Sequence, residues 1–207
     1  MTTKRLIIFT RYPELGRTKT RLIPALGSYG AALLQRQMTE QVLKTVSRFI
    51  EEFPVTVEIC YDGASLSQMI EWLGTDKLYR FQGEGDIGKR MAHALNSAFK
   101  DGVNQAVLIG SDCPGIHPTL LKNAFIDLEI SEAVIGPARD GGYYLVGLKT
   151  IIWELFQGID WGTDRVLSQT LNTLKGAGIK YSLLETLDDI DRPDDLYVWE
   201  RLQHESP

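Results

Sequence analysis

Gln105-Ala106-Val107-Leu108-Ile109-Gly110-Ser111-Asp112-Cys113-Pro114 is the stretch on which the fold turns. Residues 105–109 read as a short, mostly apolar run, the pattern of a strand buried on both faces. Gly110, Ser111 and Pro114 then break it, which places Asp112 just past the carboxyl end of that strand. In an open α/β sheet ligands bind at this edge. A carboxylate there needs hydration, a cation or a hydrogen-bond donor, because an unpaired buried charge is costly. Asp112 could equally cap the helix that starts near His117. The rest of the chain has to decide between the two.

Working outward, residues 4–10 carry Leu6-Ile7-Ile8-Phe9, a first buried strand. Residues 11–27 are punctuated by Pro13, Gly16, Pro24 and Gly27 and cannot be regular. From residue 28 to 52, Leu34, Met38, Val42, Val46, Phe49 and Ile50 recur at helical spacing and predict one long amphipathic helix. Residues 55–60 predict a strand, 66–73 a short helix and 78–81 a brief strand. Asp86 is placed to cap a helix whose buried face is Ile87, Met91, Leu95 and Ala98, with Arg90 and His93 off that face. A helix from 117 to 128, a strand over 133–136, a tight turn at Asp140-Gly141-Gly142 and a returning strand over 143–148 follow. Trp153, Phe156 and Trp161 read as packing residues. Thr163 and Asp164 are placed to cap a helix running to Leu174, before a strand over 180–184 and a closing helix over 193–202.

Alternating strands and helices with no repeat, linker or low-complexity run predict one α/β domain spanning 1–207. Its sheet should be mostly parallel, in a three-layer α/β/α arrangement. The 207 residues, 43% hydrophobic and 24% charged, suit one ordinary globular domain. Nothing approaches the roughly 20 apolar residues of a membrane span, and the start of the chain lacks a signal-peptide core, so a cytoplasmic location is expected. Cys60 and Cys113 have no metal-ligand spacing and read as reduced thiols near strand ends. A net charge of −5 argues against a nucleic-acid binder. The charge is uneven, however. Lys4, Arg5, Arg11, Arg17, Lys19 and Arg21 crowd the first 22 residues, and Glu185, Asp188, Asp189, Asp191, Asp194 and Asp195 crowd residues 185–195. A basic loop and an acidic loop in one small domain suggest an anion and a cation bound together.

The loop after the first strand, Arg11-x-Pro13-x-x-Gly16-x-x-Lys19-Thr20-Arg21, has the glycine and cations of a phosphate cradle but not the spacing of a Walker loop. Asp189 and Asp191 are two apart, so in an extended segment both side chains point the same way. With Asp112 they would make a hard-oxygen site suited to Mg²⁺ or Mn²⁺. Zn²⁺ is disfavoured, since no histidine lies near a second zinc ligand.

Taken in order, the motifs resemble a known family. They are the basic loop above, Gln82-Gly-x-Gly-Asp86-x-Gly-x-Arg90-Met, Ile109-Gly-Ser111-Asp112-Cys-Pro, Gly136-Pro-x-x-Asp140-Gly141-Gly142-Tyr-Tyr-Leu-x-Gly and Asp189-Ile-Asp191-x-Pro-x-Asp-Leu. Together they look like the DUF2064 family of the nucleotide-diphospho-sugar transferase (GT-A, Rossmann-like) superfamily. Its members are usually called glycosyltransferases, one branch acting in arsenosugar biosynthesis. The likeness runs from about residue 5 to residue 199, and the layout is also similar to the phospholactate and molybdenum cofactor guanylyltransferases. By position, the resemblance implies a phosphate-binding role for Lys19 and Arg21, with Arg11 and Gly16 in the same loop. It implies metal at Asp112, Asp189 and Asp191, and nucleotide contacts at Gln82, Asp86, Arg90 and Ser111. Asp140, Gly141 and Gly142 would line the second-substrate side. Two positions depart from the family's pattern: Arg11 stands where lysine is common, and Arg192 where threonine is.

The resemblance implies a metal-dependent transferase that takes a nucleotide sugar or nucleoside triphosphate and a small-molecule acceptor. In glycosyl transfer Asp112 would hold the metal, Lys19 would offset phosphate charge and Asp140 would serve the acceptor hydroxyl. In nucleotidyl transfer an acceptor phosphate or carboxylate would displace pyrophosphate. A non-catalytic nucleotide sensor would use the same loops without turnover.

Overall fold

Alternation along the strands sets the layers. The computed structural model describes residues 3–205; the ends of the 1–207 domain reading, residues 1–2 and 206–207, lie outside the described residues. Its strands are β1 (Lys4–Arg11), β2 (Thr56–Asp62), β3 (Leu78–Phe81), β4 (Gln105–Gly110), β5 (Ala133–Pro137), β6 (Tyr143–Leu148) and β7 (Tyr181–Leu183). They form one seven-stranded sheet in the order β3-β2-β1-β4-β6-β5-β7. All neighbours run parallel except β6, which is antiparallel to both β4 and β5. The helices are α1 (Ile23–Glu52), α2 (Leu66–Leu73), α3 (Ile87–Lys100), α4 (Pro118–Ile130), α5 (Val166–Gly176) and α6 (Leu196–Glu205).

Side chains two apart on a strand share a face. On one face Leu6, Ile8, Val107 and Ile109 pack against Val46 and Phe49 of α1 and Leu121 and Phe125 of α4. The rings of Phe49 and Phe125 stack with centroids 6.1 Å apart. On the other face Ile7, Phe9, Leu108 and Val146 meet Met91 and Leu95 of α3 and Leu174 of α5. Each such large side chain contributes about 1.5–3 kcal/mol relative to exposure. Helix α6 packs on α1 through Met38 and Val198, with Leu22 and Ile190 between them. That small cluster fastens the acidic segment against the basic loop. The result is the expected three-layer α/β/α domain.

The chain winds from β1 out to β3 and returns to β4 on the far side of β1, so the switch point lies between β1 and β4. The loops after those two strands open into the same crevice. Because β6 runs backwards, the turn that joins β5 to it rises at that same edge.

Several local expectations change. The long helix starts one turn early, with Pro24 in its first turn, and breaks at Gly27, whose φ of 68° and ψ of 168° no helix accommodates. A 3₁₀ turn, Thr20–Leu22, precedes it. Ile50 and Ile87 are 41% and 42% exposed rather than buried, since both sit at helix ends beyond the sheet. His117 caps α4 itself, its Nδ1 accepting from Leu120 N–H at 3.3 Å, which leaves Asp112 out of that role. Helix α5 starts at Val166 without a side-chain cap; the Thr163 hydroxyl instead accepts from Arg165 N–H and donates to the Asp160 carbonyl. Both cysteines are free and buried, but β2 runs on to Asp62, so Cys60 lies within the strand. Burial, reinforced by Glu58, pushes the Cys60 thiol well above its ordinary pKa. Among the described residues no helix is long and apolar enough to cross a membrane.

Candidate functional site

A crevice of about 420 Å³ opens at the carboxyl ends of β1, β2 and β4. Arg11, Gln82, Arg90, Ser111, Asp112, Asp140, Gly142 and Asp189 line it, so eight positions singled out in the sequence meet there. Gly16, Lys19, Arg21, Asp86, Gly141 and Asp191 do not face it directly. Asp86 spends its carboxylate on the cap of α3, accepting from Lys89 N–H at 2.8 Å. Gly141 supplies the turn, and Gly16 the left-handed backbone (φ 74°) of the basic loop.

One end of the crevice is polar and tightly cross-linked. The buried Gln82 amide donates to the carbonyls of Thr10 (3.2 Å) and Cys60 (3.0 Å), joining β1 to β2. Arg11 and Arg90 share Asp62, at 3.3 and 3.1 Å. Arg90 also donates to the Gly85 carbonyl at 2.9 Å, fixing the glycine loop before α3. Beneath them the Ser111 hydroxyl donates to Thr10 at 3.1 Å, and the Gln35 amide reaches Ser111, Thr39 and Thr10. Asp62 and Gln35 were not singled out in the sequence, although both left a signal. Asp62 precedes Gly63 at a strand end much as Asp112 follows Gly110. Gln35 and Thr39 are polar residues set into the buried stripe of α1.

The other end is acidic and aromatic. Asp112 has a half-exposed side chain, and Asp140 closes its own turn by accepting from Gly142 N–H at 2.8 Å. Asp189 stands within electrostatic reach of both. Burial, then Asp140 and Asp112, push its carboxyl up to about 6. Tyr143 and Trp161 form the wall, edge to face with centroids 6.3 Å apart. Trp161 lies directly over Gly88 of α3, where a Cβ would come within 2.4 Å of the indole. Gly88→Ala therefore has to push Trp161 off the wall. We expect a loss of about 1–2 kcal/mol in denaturant melts, with a red-shifted tryptophan emission; an unchanged emission spectrum would contradict this packing.

The basic and acidic loops meet each other. The Lys19 side chain is 5% exposed; its ammonium lies 3.2 Å from Asp112 Oδ2, 3.6 Å from Asp191 Oδ1 and 2.6 Å from the Ile190 carbonyl oxygen. Burial opposes the Lys19 charge, but Asp112, Asp191 and Asp189 outweigh it and the pKa is raised. Arg21 pairs with Asp191 at 2.5 Å, and Arg139 with Asp188. Arg5, counted with the basic cluster in the sequence, turns away and pairs with Glu58 at 2.8 Å. Arg192 is exposed; its backbone N–H donates to the Asp195 carboxylate at 2.6 Å and its carbonyl accepts from Asp195 N–H at 2.9 Å.

The carboxylates of Asp112, Asp189 and Asp191 are not drawn together as the sequence suggested. Among the described residues no three acidic, histidine or cysteine side chains are close enough to share a metal ion. The physical reason is Lys19, whose ammonium stands between Asp112 and Asp191. Of the three, Asp112 and Asp189 line the crevice, and Lys19 already occupies one oxygen of Asp112. Mg²⁺ commonly takes one or two carboxylates and completes its shell with water and substrate phosphates.

Asp189 also gives a pH prediction. A carboxyl raised in the fold costs nothing below about pH 4, where it is protonated in both states. The cost grows as pH rises and is complete above about 6. Asp189→Asn should accordingly stabilise the ligand-free protein by about 1–2 kcal/mol at pH 8 and not at pH 4. The lost attraction to Lys19 trims the gain. Thermal melts at the two pH values check this, and equal effects at both would contradict it.

Comparison with known proteins is consistent with this geometry. The family model DUF2064, described as "Uncharacterized protein conserved in bacteria", matches residues 45–163. No curated protein matches the chain. A crystal structure from Desulfovibrio desulfuricans G20, provisionally described as a nucleotide-diphospho-sugar transferase, is 34% identical with a TM-score of 0.91. The match covers 100% of this chain and 90% of that one. More distant structures share the fold alone. The 4-diphosphocytidyl-2C-methyl-D-erythritol synthase of Anaerococcus prevotii DSM 20548 is 15% identical with a TM-score of 0.64, over 98% and 99% of the two chains. Glucosyl-3-phosphoglycerate synthase of Mycobacterium tuberculosis, solved with Mn²⁺, uridine diphosphate and glucosyl-3-phosphoglycerate, is 12% identical with a TM-score of 0.59. There the match covers 97% of this chain and 76% of that one.

Proposed function

Because the chain belongs to the DUF2064 family and has the nucleotide-diphospho-sugar transferase fold, we propose that it is a metal-dependent transferase acting on a nucleotide-activated donor. The reaction that fits it best is transfer of a glycosyl group from a nucleotide sugar to a small-molecule hydroxyl. The observation that carries this reading is the convergence of Asp112, Asp140 and Asp189 on one crevice, with the Lys19 ammonium beside them. Buried, reduced thiols suit a cytoplasmic setting for such an enzyme.

The polar end suits the nucleotide, with Arg11, Gln82, Arg90 and the Thr10 backbone around it. Asp112 and Asp189 are the carboxylates that would hold Mg²⁺ or Mn²⁺, which would supply positive charge to the donor phosphates. Lys19 offsets the remaining charge as the diphosphate departs. On the acidic side Asp140 has one oxygen engaged by Gly142 N–H and the other free to accept a proton from the acceptor hydroxyl. That hydroxyl oxygen attacks the anomeric carbon. The bond from that carbon to the phosphate oxygen breaks, and the nucleoside diphosphate leaves with the electron pair. Tyr143 and Trp161 present an apolar wall against which an acceptor can lie.

Nucleotidyl transfer uses the same cations but also has to receive pyrophosphate. The cations of the β1 loop are already committed here: Arg11 to Asp62, Arg17 to Glu14 at 3.4 Å, Arg21 to Asp191. That favours glycosyl transfer. The leaving product separates the two. Incubation with UDP- and GDP-sugars, Mn²⁺ and a panel of hydroxyl acceptors should release nucleoside diphosphate. Pyrophosphate from a nucleoside triphosphate, with none released from any nucleotide sugar, would overturn glycosyl transfer in favour of the nucleotidyl reaction.

A further inference from the structure

We propose that Thr39 and Gln35 of α1 are positioning residues: a closed ring of buried hydrogen bonds runs through them and holds the turn at Ser111 and Asp112 where a nucleotide-activated donor meets it. The inference rests on the donor-site reading above and adds to it the part of the fold that keeps Asp112 in place.

Three elements change character at one level. On the face of the sheet that α1 covers, Leu6 and Ile8 are followed by Thr10, and Val107 and Ile109 by Ser111. Along the buried stripe of α1, Val46 and Val42 give way, toward the start of the helix, to Thr39 and Gln35. All four polar residues are buried. The apolar core therefore turns polar at the carboxyl edge of β1 and β4, directly beneath the crevice that Thr10, Gln35 and Ser111 help to line.

These groups satisfy one another in a fixed order. The Thr39 hydroxyl donates to the Gln35 carbonyl one turn back, at 3.0 Å. A hydroxyl has a single proton, so the proton in the 2.9 Å contact between Thr10 and Thr39 belongs to Thr10. Thr10 in turn accepts from Ser111 at 3.1 Å, and Ser111 from the Gln35 amide at 3.3 Å. The ring starts and ends on Gln35. The Ser111 proton is thus spent inside the fold and not on a ligand. Thr10 is held from its other side as well, its carbonyl accepting from the buried Gln82 amide at 3.2 Å.

Apolar side chains of the same size would fill this space without fixing a position, because burial is non-directional. A hydrogen-bonded ring does not tolerate sliding. Moving one member leaves buried donors and acceptors unpaired, which costs more than the bonds contribute. What the ring fixes is the residue before Asp112. Just past Gly110, Ser111 N–H donates to the Phe9 carbonyl at 3.1 Å, and the Asp112 carbonyl accepts from Ile190 N–H at 3.0 Å. The Ser111 side chain ties that short span to α1. Thr39 is completely buried and forms no part of the crevice wall, so whatever it does for a ligand it does through the ring.

The test sets Thr39→Val, which keeps the shape and removes the hydroxyl, against Thr39→Ser, which keeps the hydroxyl. Amide hydrogen exchange followed by NMR reads the ligand-free proteins. In Thr39→Val the Ser111 and Ile190 amides should exchange at least about tenfold faster than in wild type. Glu132 N–H, which donates to the Lys180 carbonyl at the β5–β7 edge of the sheet, should keep its rate. A general loss of stability would speed all three alike. Titration calorimetry with UDP- and GDP-sugars and Mn²⁺ reads the consequence: Thr39→Val should bind at least about tenfold more weakly than wild type. Thr39→Ser should restore both exchange and affinity. Unchanged exchange at Ser111 and Ile190, equal speeding at Glu132, or equal affinity in Thr39→Val and a wild type that binds would overturn the role of the ring and leave the donor site standing. A wild type that binds none of the nucleotide sugars or their parent triphosphates would overturn the donor-site reading and this proposal with it.

Discussion

Asp112→Asn is expected to reduce transfer by about a thousandfold, roughly 4 kcal/mol of barrier, while the protein melts at nearly the wild-type temperature. The two effects separate because of how the residue is held. Its side chain is 51% exposed, and the buried Lys19 it pairs with keeps Asp191 and the Ile190 carbonyl as partners, so losing this one contact costs about 1 kcal/mol. Its backbone is anchored independently: the Asp112 carbonyl accepts from Ile190 N–H at 3.0 Å, a bond the substitution leaves in place. Asparagine keeps the shape and removes the charge, and charge is what a metal and the donor phosphates require of this position. Turnover assays and melting curves on the same preparation check both halves. A variant that is inactive because it is unfolded, or one that stays active, would contradict the assignment.

Gly141→Ala should cost about 3 kcal/mol or more of stability, from two sources that add. The position has φ of 90°, where an alanine is strained, and its new Cβ would come within 2.3 Å of the Asp164 carbonyl oxygen. That obstacle is backbone and cannot rotate aside. To relieve it, the 160–166 segment must lift, breaking the hydrogen bond from Leu167 N–H to the Gly141 carbonyl, now 2.8 Å. The same segment carries Trp161 and Thr163 into the crevice, so activity should fall together with stability. Chemical denaturation measures the first, and a midpoint within error of wild type would show that the turn does not abut Asp164 as described.

What was legible in the sequence was mostly what local chemistry determines. Gly110 ended β4 where its break from an apolar run said it would, and Asp112 stands just beyond. The Asp140-Gly141-Gly142 turn was visible from its composition. Alternating elements implied helices on both faces of the sheet. Contacts between distant segments were not legible. Lys19 and Asp112 are 93 residues apart, and Arg21 and Asp191 are 170 apart. Their charges could be counted, but not that the two loops would neutralise each other. The spacing of Asp189 and Asp191 suggested a shared direction, yet the fold turns Asp191 toward the basic loop and Asp189 toward the crevice. Asp86 was read both as a cap and as a nucleotide contact, and the structure shows the cap. Asp62 escaped notice because the apolar run of β2 fades at Cys60, two residues before the strand ends.

The central claim, a metal-dependent site for a nucleotide-activated donor at the ends of β1 and β4, is tested most directly by titration calorimetry. UDP- and GDP-sugars would be titrated into wild-type protein and Asp112→Asn, each with and without Mn²⁺. The account predicts that at least one nucleotide sugar binds the wild type only when Mn²⁺ is present, and that Asp112→Asn loses this binding. Binding of equal strength without metal, or undiminished in Asp112→Asn, would contradict it.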